Sequence, residues 1–297
     1  MRWYQHDYHT VTSHKIIFAT IPHIPKLFQP PIAAVTALIF FALLKKERRA
    51  IAGNLRLVTG RSGVRLWWQA WRVFYSFCDF MVSYCYVPQA TDAALLAMLE
   101  SGDMQKIDQC LERGNGLVVW TAHLGNWEMA SRLLELHGRR VNIARVVEPN
   151  PAEVMLRDLM TNSRLNVVQL NDNPLASVEL LNALRNGEIV AMQGDRVYHS
   201  FCAEAQFFGR TAKFPMGPFF LAYISGAPLL PGFVVRRKWL RYQVVLGEPI
   251  EFSHAGERDV ELGAGLEKAV RFLEATIKSC PTQWLNFYDF WPGGQQQ

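Results

Sequence analysis

The chain has 297 residues and a mass of 33.9 kDa, of which half are apolar and only 19% charged. That apolar share excludes bulk disorder, and a mean hydropathy of +0.01 is too low for a multi-span membrane protein. A net charge of +5 is too weak to argue for nucleic acid, whereas the 12% aromatic content beside modest positive charge suits an anionic lipid surface or an acidic protein partner.

The length fits one large α/β domain, or such a domain with a smaller appendage. The five cysteines (Cys78, Cys85, Cys110, Cys202 and Cys280) show no C-x-x-C and no zinc spacing, which reads as buried free thiols in a reducing cytosol. The first fifteen residues are polar and lack the pattern of a secretory signal. His6, His9 and His14 lie there, and a floppy polar terminus is preferred over a metal site.

Two apolar runs follow, 16–21 and 32–44, separated by Pro22, Pro25, Pro30 and Pro31. The second has 13 residues, against the about 20 that a perpendicular span requires. It reads as a buried or interfacial helix, or as a tilted span lengthened by Leu27 and Phe28. Pro31 suits a first helical turn, and Lys45, Lys46, Arg48 and Arg49 mark the cytoplasmic side.

Residues 61–86 form an aromatic helix. Trp67, Trp71, Phe74, Cys78, Met81 and Cys85 recur at spacings of three and four, and Trp68, Tyr75 and Tyr84 broaden the stripe. One face packs on a core; the surplus aromatics suggest that another meets lipid or an acyl chain. From residue 91 onward helices alternate with short apolar strands, the strands being expected at 117–121, 141–147, 167–170, 189–192, 229–235 and 242–246 and the intervening helices at 91–100, 103–113, 126–137, 173–187 and 218–225. A further helix is expected to open at Asn150-Pro151 with Glu153 in the capping-box position, and a last one to run from 262 to 279. This alternation predicts an α/β fold with a mixed sheet and helices on both faces. The expected domains are a membrane-associated segment at 1–60, a catalytic domain at 61–290 and a disordered tail at 291–297.

The chemistry is concentrated in GLVVWTAHLGNWEMASRLL, residues 116–134. A strand runs into His123, a Leu124-Gly125 turn follows, and Asn126 caps a helix whose second residue is Glu128. The C-terminal ends of parallel strands form the usual crevice of such sheets. A carboxylate folding back onto imidazole Nδ1 would leave Nε2 as a general base, which is the arrangement that activates a hydroxyl for acyl transfer. The spacing therefore predicts that Glu128 orients His123. The alternative reading is that Glu128 does no more than complement the helix dipole. There is no G-x-S-x-G elbow and no Walker A loop.

Three segments, AHLGNWE at 122–128, FFGRTAKFPMGPFFLA at 207–222 with SGAPLLP at 225–231, and ERRAIAGNLRLVTG at 47–60, resemble the bacterial lipid A biosynthesis acyltransferases. That family includes the lauroyl- and myristoyltransferase group, with phosphatidylinositol mannoside acyltransferases as relatives. The resemblance implies a glycerolipid-acyltransferase-like fold at the cytoplasmic face of the inner membrane. It implies transfer of a fatty acyl group from acyl carrier protein, or from CoA, to a glycolipid hydroxyl, with a lipid A precursor as the expected acceptor and no cofactor or metal. The family's H-x4-D/E carries over onto His123 and Glu128.

Arg145, Asp195 and Arg196 are candidates for binding the substrate or its phosphate, and Phe208, Arg210 and Lys213 for an acyl groove with a cationic mouth. An oxyanion could be held by backbone amides near Gly125, by the helix start or by Arg145. Trp284, Phe287, Tyr288 and Trp291 fit either a membrane interface or a core. The rival readings are a glycosyltransferase using Asp195, which lacks a D-x-D, an acyltransferase with another lipid acceptor, and a non-catalytic lipid-binding protein of the same fold.

Overall fold

A computed structural model describes residues 11–102, 104–146, 164–170, 173–198 and 200–291, the side chains of 11–15 excepted. The expected strand residues 147, helix opening at Asn150-Pro151, His6, His9, the His14 side chain and the Gln-rich tail lie outside the described residues.

Four N-terminal helices come first: α1 (Val11–Thr20), α2 (Gln29–Leu43), α3 (Lys45–Thr59) and α4 (Gly63–Ser83). Pro30 and Pro31 fall in the first turn of α2, where their missing N–H groups cost no helical bond. Small Ala33 and Ala37 are buried, α2 packs along α4, and Phe41 meets Phe74 edge-on at 6.0 Å. The opposite side of α2 is apolar and uncovered: Val35, Leu38, Ile39 and Leu43 are all more than half exposed. Among the described residues no single helix is long and apolar enough to cross a membrane; α2 and α3 meet at a bend of 100°.

The remaining elements are α5 (Asp92–Ala97), β1 (Leu99–Ser101), α6 (Gln105–Leu111), β2 (Leu117–Thr121), α7 (Trp127–Leu134), β3 (Val141–Arg145), β4 (Leu165–Gln169), α8 (Ala176–Arg185), β5 (Ile189–Gln193), β6 (Cys202–Phe207), β7 (Arg210–Pro215), α9 (Gly217–Ser225), β8 (Leu229–Lys238), β9 (Arg241–Leu246) and α10 (Arg258–Ser279). Seven strands form one mixed sheet in the order β1-β9-β8-β2-β5-β3-β4. The run from β8 to β4 is parallel, while β9 returns antiparallel to β8 and pairs in parallel with β1. Every residue of β2 is buried, as a central strand covered on both faces requires.

Alternate residues of β2 face opposite sides. Val118 and Trp120 pack among α8, α9 and α10, while Leu117 and Val119 pack with Ile107 and Leu111 of α6 and Leu134 of α7. Helices therefore cover both faces of a mixed sheet, as the sequence pattern predicts.

Two expectations are corrected. Residues 99–101 form an edge strand, because Leu99 pairs with Tyr242, where a helix through Glu100 was predicted. The segment 207–215 is not an irregular loop but one arm and the turn of a hairpin, β6–β7, with Phe208 at positive φ in its turn.

Candidate active site

The chain order creates a switch point beside β2. From β2 the chain crosses to β3 and β4, then returns to insert β5 between β2 and β3. The C-terminal ends of β2, β5 and β3 thus lie side by side, and they deliver His123, Asp195 and Arg145 respectively. Open parallel sheets bind ligands at such a point. A cleft of about 40 Å³ opens there, lined by Thr121, Trp127, Glu128, Arg145 and Gln193 among others.

The turn after β2 is clamped by backbone bonds. Gly125 N–H donates to Gln283 O at 3.0 Å and Asn126 N–H to Val234 O at 2.7 Å. Gly125 has φ +69°, and a Cβ there would lie 2.0 Å from Val234 O, so only glycine fits. Both of these amides are committed to carbonyls, which removes them as oxyanion donors. Asn126 caps α7, its side chain accepting from Met129 N–H at 3.0 Å, and donates to Ser83 Oγ at 2.9 Å.

His123 is buried, and its Nδ1 lies 2.7 Å from Asp195 Oδ1. The same oxygen accepts the His123 backbone N–H at 3.1 Å. Asp195 is therefore the partner of the imidazole, in place of the predicted Glu128. The helix starts at Trp127 as the Asn126 cap predicts, but Glu128 in its first turn is held by other partners. Its Oε1 accepts from Tyr84 OH and from Arg145 Nη2, each at 2.6 Å. Asp195, assigned from sequence to substrate, follows a strand that lies directly beside β2. Gly194 allows this approach, since a Cβ there would fall 1.8 Å from Trp120 Nε1.

Electrostatics leave the imidazole unprotonated and its partner ionised at neutral pH. Burial lowers the His123 pKa to about 4, with Arg196 and Arg145 adding to the effect and Asp195 opposing it. Burial pushes the Asp195 carboxyl upward, but His123 and Arg196 outweigh it and hold the group ionised below the usual carboxylate range. An ionised carboxylate only accepts, so Nδ1 carries the proton and Nε2 the lone pair. The Trp127 ring stands edge-on to the imidazole at 5.1 Å.

The other predicted site residues divide. Arg145 joins the site through Glu128. Arg196 turns toward the C-terminal segment, donating from Nε to Asn286 Oδ1 at 3.1 Å and from Nη2 to Leu285 O at 2.9 Å. Phe208 donates its N–H to Glu274 Oε2 at 2.8 Å and stacks edge-on with Phe207, so it anchors the hairpin to α10. Arg210 and Lys213 are exposed on the outer arm. Trp284, Tyr84, Ser83 and Asn286 were not predicted to touch the site. Trp284 is buried, and its indole donates to Asp195 Oδ2 at 3.2 Å.

Fold and site together define an α/β protein that holds, just past the ends of its central parallel strands and beside the cleft, a neutral imidazole backed by an ionised carboxylate, the equipment for taking a proton from a hydroxyl. Residues 7–292 match the family described as bacterial lipid A biosynthesis acyltransferase, and the chain belongs to that family. It is similar to the phosphatidylinositol mannoside acyltransferase of Mycobacterium tuberculosis (strain ATCC 25618 / H37Rv), 31% identical over 132 residues, 44% of this chain and 42% of the relative. The protein of that name from Mycolicibacterium smegmatis (strain ATCC 700084 / mc(2)155) is 24% identical over 147 residues, 49% of this chain and 48% of the relative. The matched region thus spans just under half the length of these curated relatives.

Proposed function

We propose that this protein is an O-acyltransferase that moves a fatty acyl chain from a thioester to a hydroxyl of a glycolipid. The observation that carries the reading is the His123–Asp195 pair at the strand ends, in a chain belonging to the acyltransferase family. His123 Nε2 takes the proton from the acceptor hydroxyl as its oxygen attacks the thioester carbonyl. The tetrahedral intermediate collapses, and the thiolate leaves with the proton from the imidazolium. Asp195 holds the ring in the productive tautomer and stabilises the imidazolium. Arg145, fixed by Glu128, supplies positive charge at the cleft for an oxyanion or a phosphate.

The acceptor is a glycolipid anchored in the membrane, with a lipid A precursor favoured by the family and a phosphatidylinositol mannoside-like lipid favoured by the curated relatives. The uncovered apolar side of α2, followed by Lys45, Lys46, Arg48 and Arg49, supports seating on the cytoplasmic face of the inner membrane. An acidic acyl carrier protein suits the exposed Arg210 and Lys213 as donor. Lipid mass spectrometry of a deletion strain, complemented with wild type or His123→Ala, tests the reading. Loss of one acylated glycolipid, restored by wild type alone, is expected; an unchanged lipid profile in the deletion strain, or restoration by folded His123→Ala, overturns it.

A further inference from the structure

The residues after α10 run back across the catalytic turn. Leu124 and Trp284 form an antiparallel bridge, Leu285 N–H donates to His123 O at 2.8 Å, and Gly125 N–H donates to Gln283 O at 3.0 Å. Alternate residues of an extended segment face one side, and Trp284 and Asn286 accordingly both face Asp195. The Trp284 indole reaches Asp195 Oδ2 at 3.2 Å and the Asn286 amide at 3.4 Å. Oδ1, the other oxygen, serves His123 through the ring and the backbone N–H.

We propose that Trp284 and Asn286 are positioning residues for the catalytic pair: their N–H donors hold the far oxygen of Asp195 and share its charge, so that its near oxygen faces the imidazole with less than a full carboxylate's pull. The inference rests on the reading of His123 as the base. Each donor is itself held. Trp284 is wedged in an aromatic cluster, 4.9 Å from Phe290 and 5.8 Å from Phe207 between ring centres. Asn286 offers its oxygen to Arg196 Nε at 3.1 Å, which fixes its amide with the NH₂ toward Asp195. The charged and titratable groups around the pair are Arg196 after β5, Arg145 on β3, Glu128 on α7 and Tyr288, whose ring lies 5.8 Å from the Arg196 guanidinium.

A donor on the far oxygen offsets part of the carboxylate charge that the imidazolium would feel. Removing it strengthens the attraction for a ring proton, and the His123 pKa rises. Titration of His123 is read by NMR on the detergent-solubilised full chain with labelled histidine, its resonance identified by loss in His123→Asn. Trp284→Phe keeps an aromatic ring and Asn286→Leu keeps the approximate size; each is expected to raise the midpoint by about one pH unit, tenfold in proton affinity. Asn286→Asp, which places a second anion beside Asp195, raises it further. Trp291→Phe removes an indole N–H from the same aromatic cluster without touching Asp195, and leaves the midpoint in place. Wild-type titration in folded Trp284→Phe and Asn286→Leu overturns the proposal, as does an equal shift in Trp291→Phe. The readout needs no turnover, so failure of the base assignment appears separately, in the lipid profile of His123→Ala.

Discussion

Nδ1 of His123 and Oδ1 of Asp195 meet at 2.7 Å although 72 residues separate them in the chain. The contact exists because β5 inserts beside β2 and both strands end at one level, Thr121 opposite Gln193. Glu128, only five residues from His123, is committed elsewhere. Proximity in sequence and partnership in the site are therefore decoupled here, and substitutions can tell the two carboxylates apart.

His123→Ala should lower turnover by about 10²–10⁴-fold. Asp195→Asn should cost on the order of 10⁴-fold, because a carboxamide neither fixes the Nδ1–H tautomer nor stabilises the imidazolium. Glu128→Gln, whose amide oxygen still accepts from Tyr84 and Arg145, should stay within about tenfold of wild type. Steady-state acyl transfer by the three purified variants checks the order. A Glu128→Gln loss as deep as that of Asp195→Asn would return the orienting role to Glu128.

A buried base and a buried acid pull stability in opposite directions with pH. His123 titrates at about 4 in the fold against 6.5 when free, so the unfolded chain binds its proton first and stability falls as pH drops from 6.5 to 4. Asp79, buried against Arg236 at 3.2 Å, is pushed up from 3.8 to about 7 by burial, which the guanidinium only partly offsets. Here the folded state holds the proton, and stability falls as pH rises from 3.8 to 7. Thermal unfolding should show Asp79→Asn gaining relative to wild type between pH 5 and 8. His123→Asn should gain relative to wild type between pH 7 and 4.5. Parallel curves for variant and wild type would contradict the assigned shifts.

Glycine substitutions separate close approach from backbone freedom. Gly138 has φ +70° with open space around it, so Gly138→Ala should cost only about 1–2 kcal/mol. Gly125→Ala adds a collision with Val234 O to the same strain and should cost upwards of roughly 3 kcal/mol. Gly194→Ala must displace Trp120, and it should reduce activity more than Gly138→Ala because Asp195 is the next residue. Denaturant unfolding and activity measured on the same samples check this ranking.

The membrane face can be probed without dismantling the fold. Deleting 1–44 would strip α2 from α4 and uncover Phe74, so point changes are preferable. Val35, Leu38 and Ile39, exposed on α2, should each contribute up to roughly 1.5–3 kcal/mol if inserted, and their replacement by Ser should release the protein from anionic vesicles. Lys45→Glu with Lys46→Glu should weaken binding by about 1 kcal/mol per residue or more, and the effect should fade with added salt. Unchanged sedimentation with vesicles in both sets would remove α2 from the contact.

The sequence by itself determined most local elements and singled out His123 as the candidate base. Strand residues 117–121 read as a continuous buried run, His123-Leu-Gly-Asn as a strand-to-helix turn with a cap, and 61–86 as an aromatic helix with one apolar stripe, because each signal lies within a few residues of chain. Strand order was not legible, since nothing in 189–195 announces that this strand inserts beside β2 rather than at an edge. Only the tertiary structure therefore decided that Asp195, not Glu128, holds the imidazole. It also decided that Trp284 and Asn286 reach that carboxylate, and that 207–215 pairs as a hairpin outside the cleft. Hydrogen bonds between residues 72 and 89 positions apart depend on how the sheet is threaded, which periodicity and spacing do not encode.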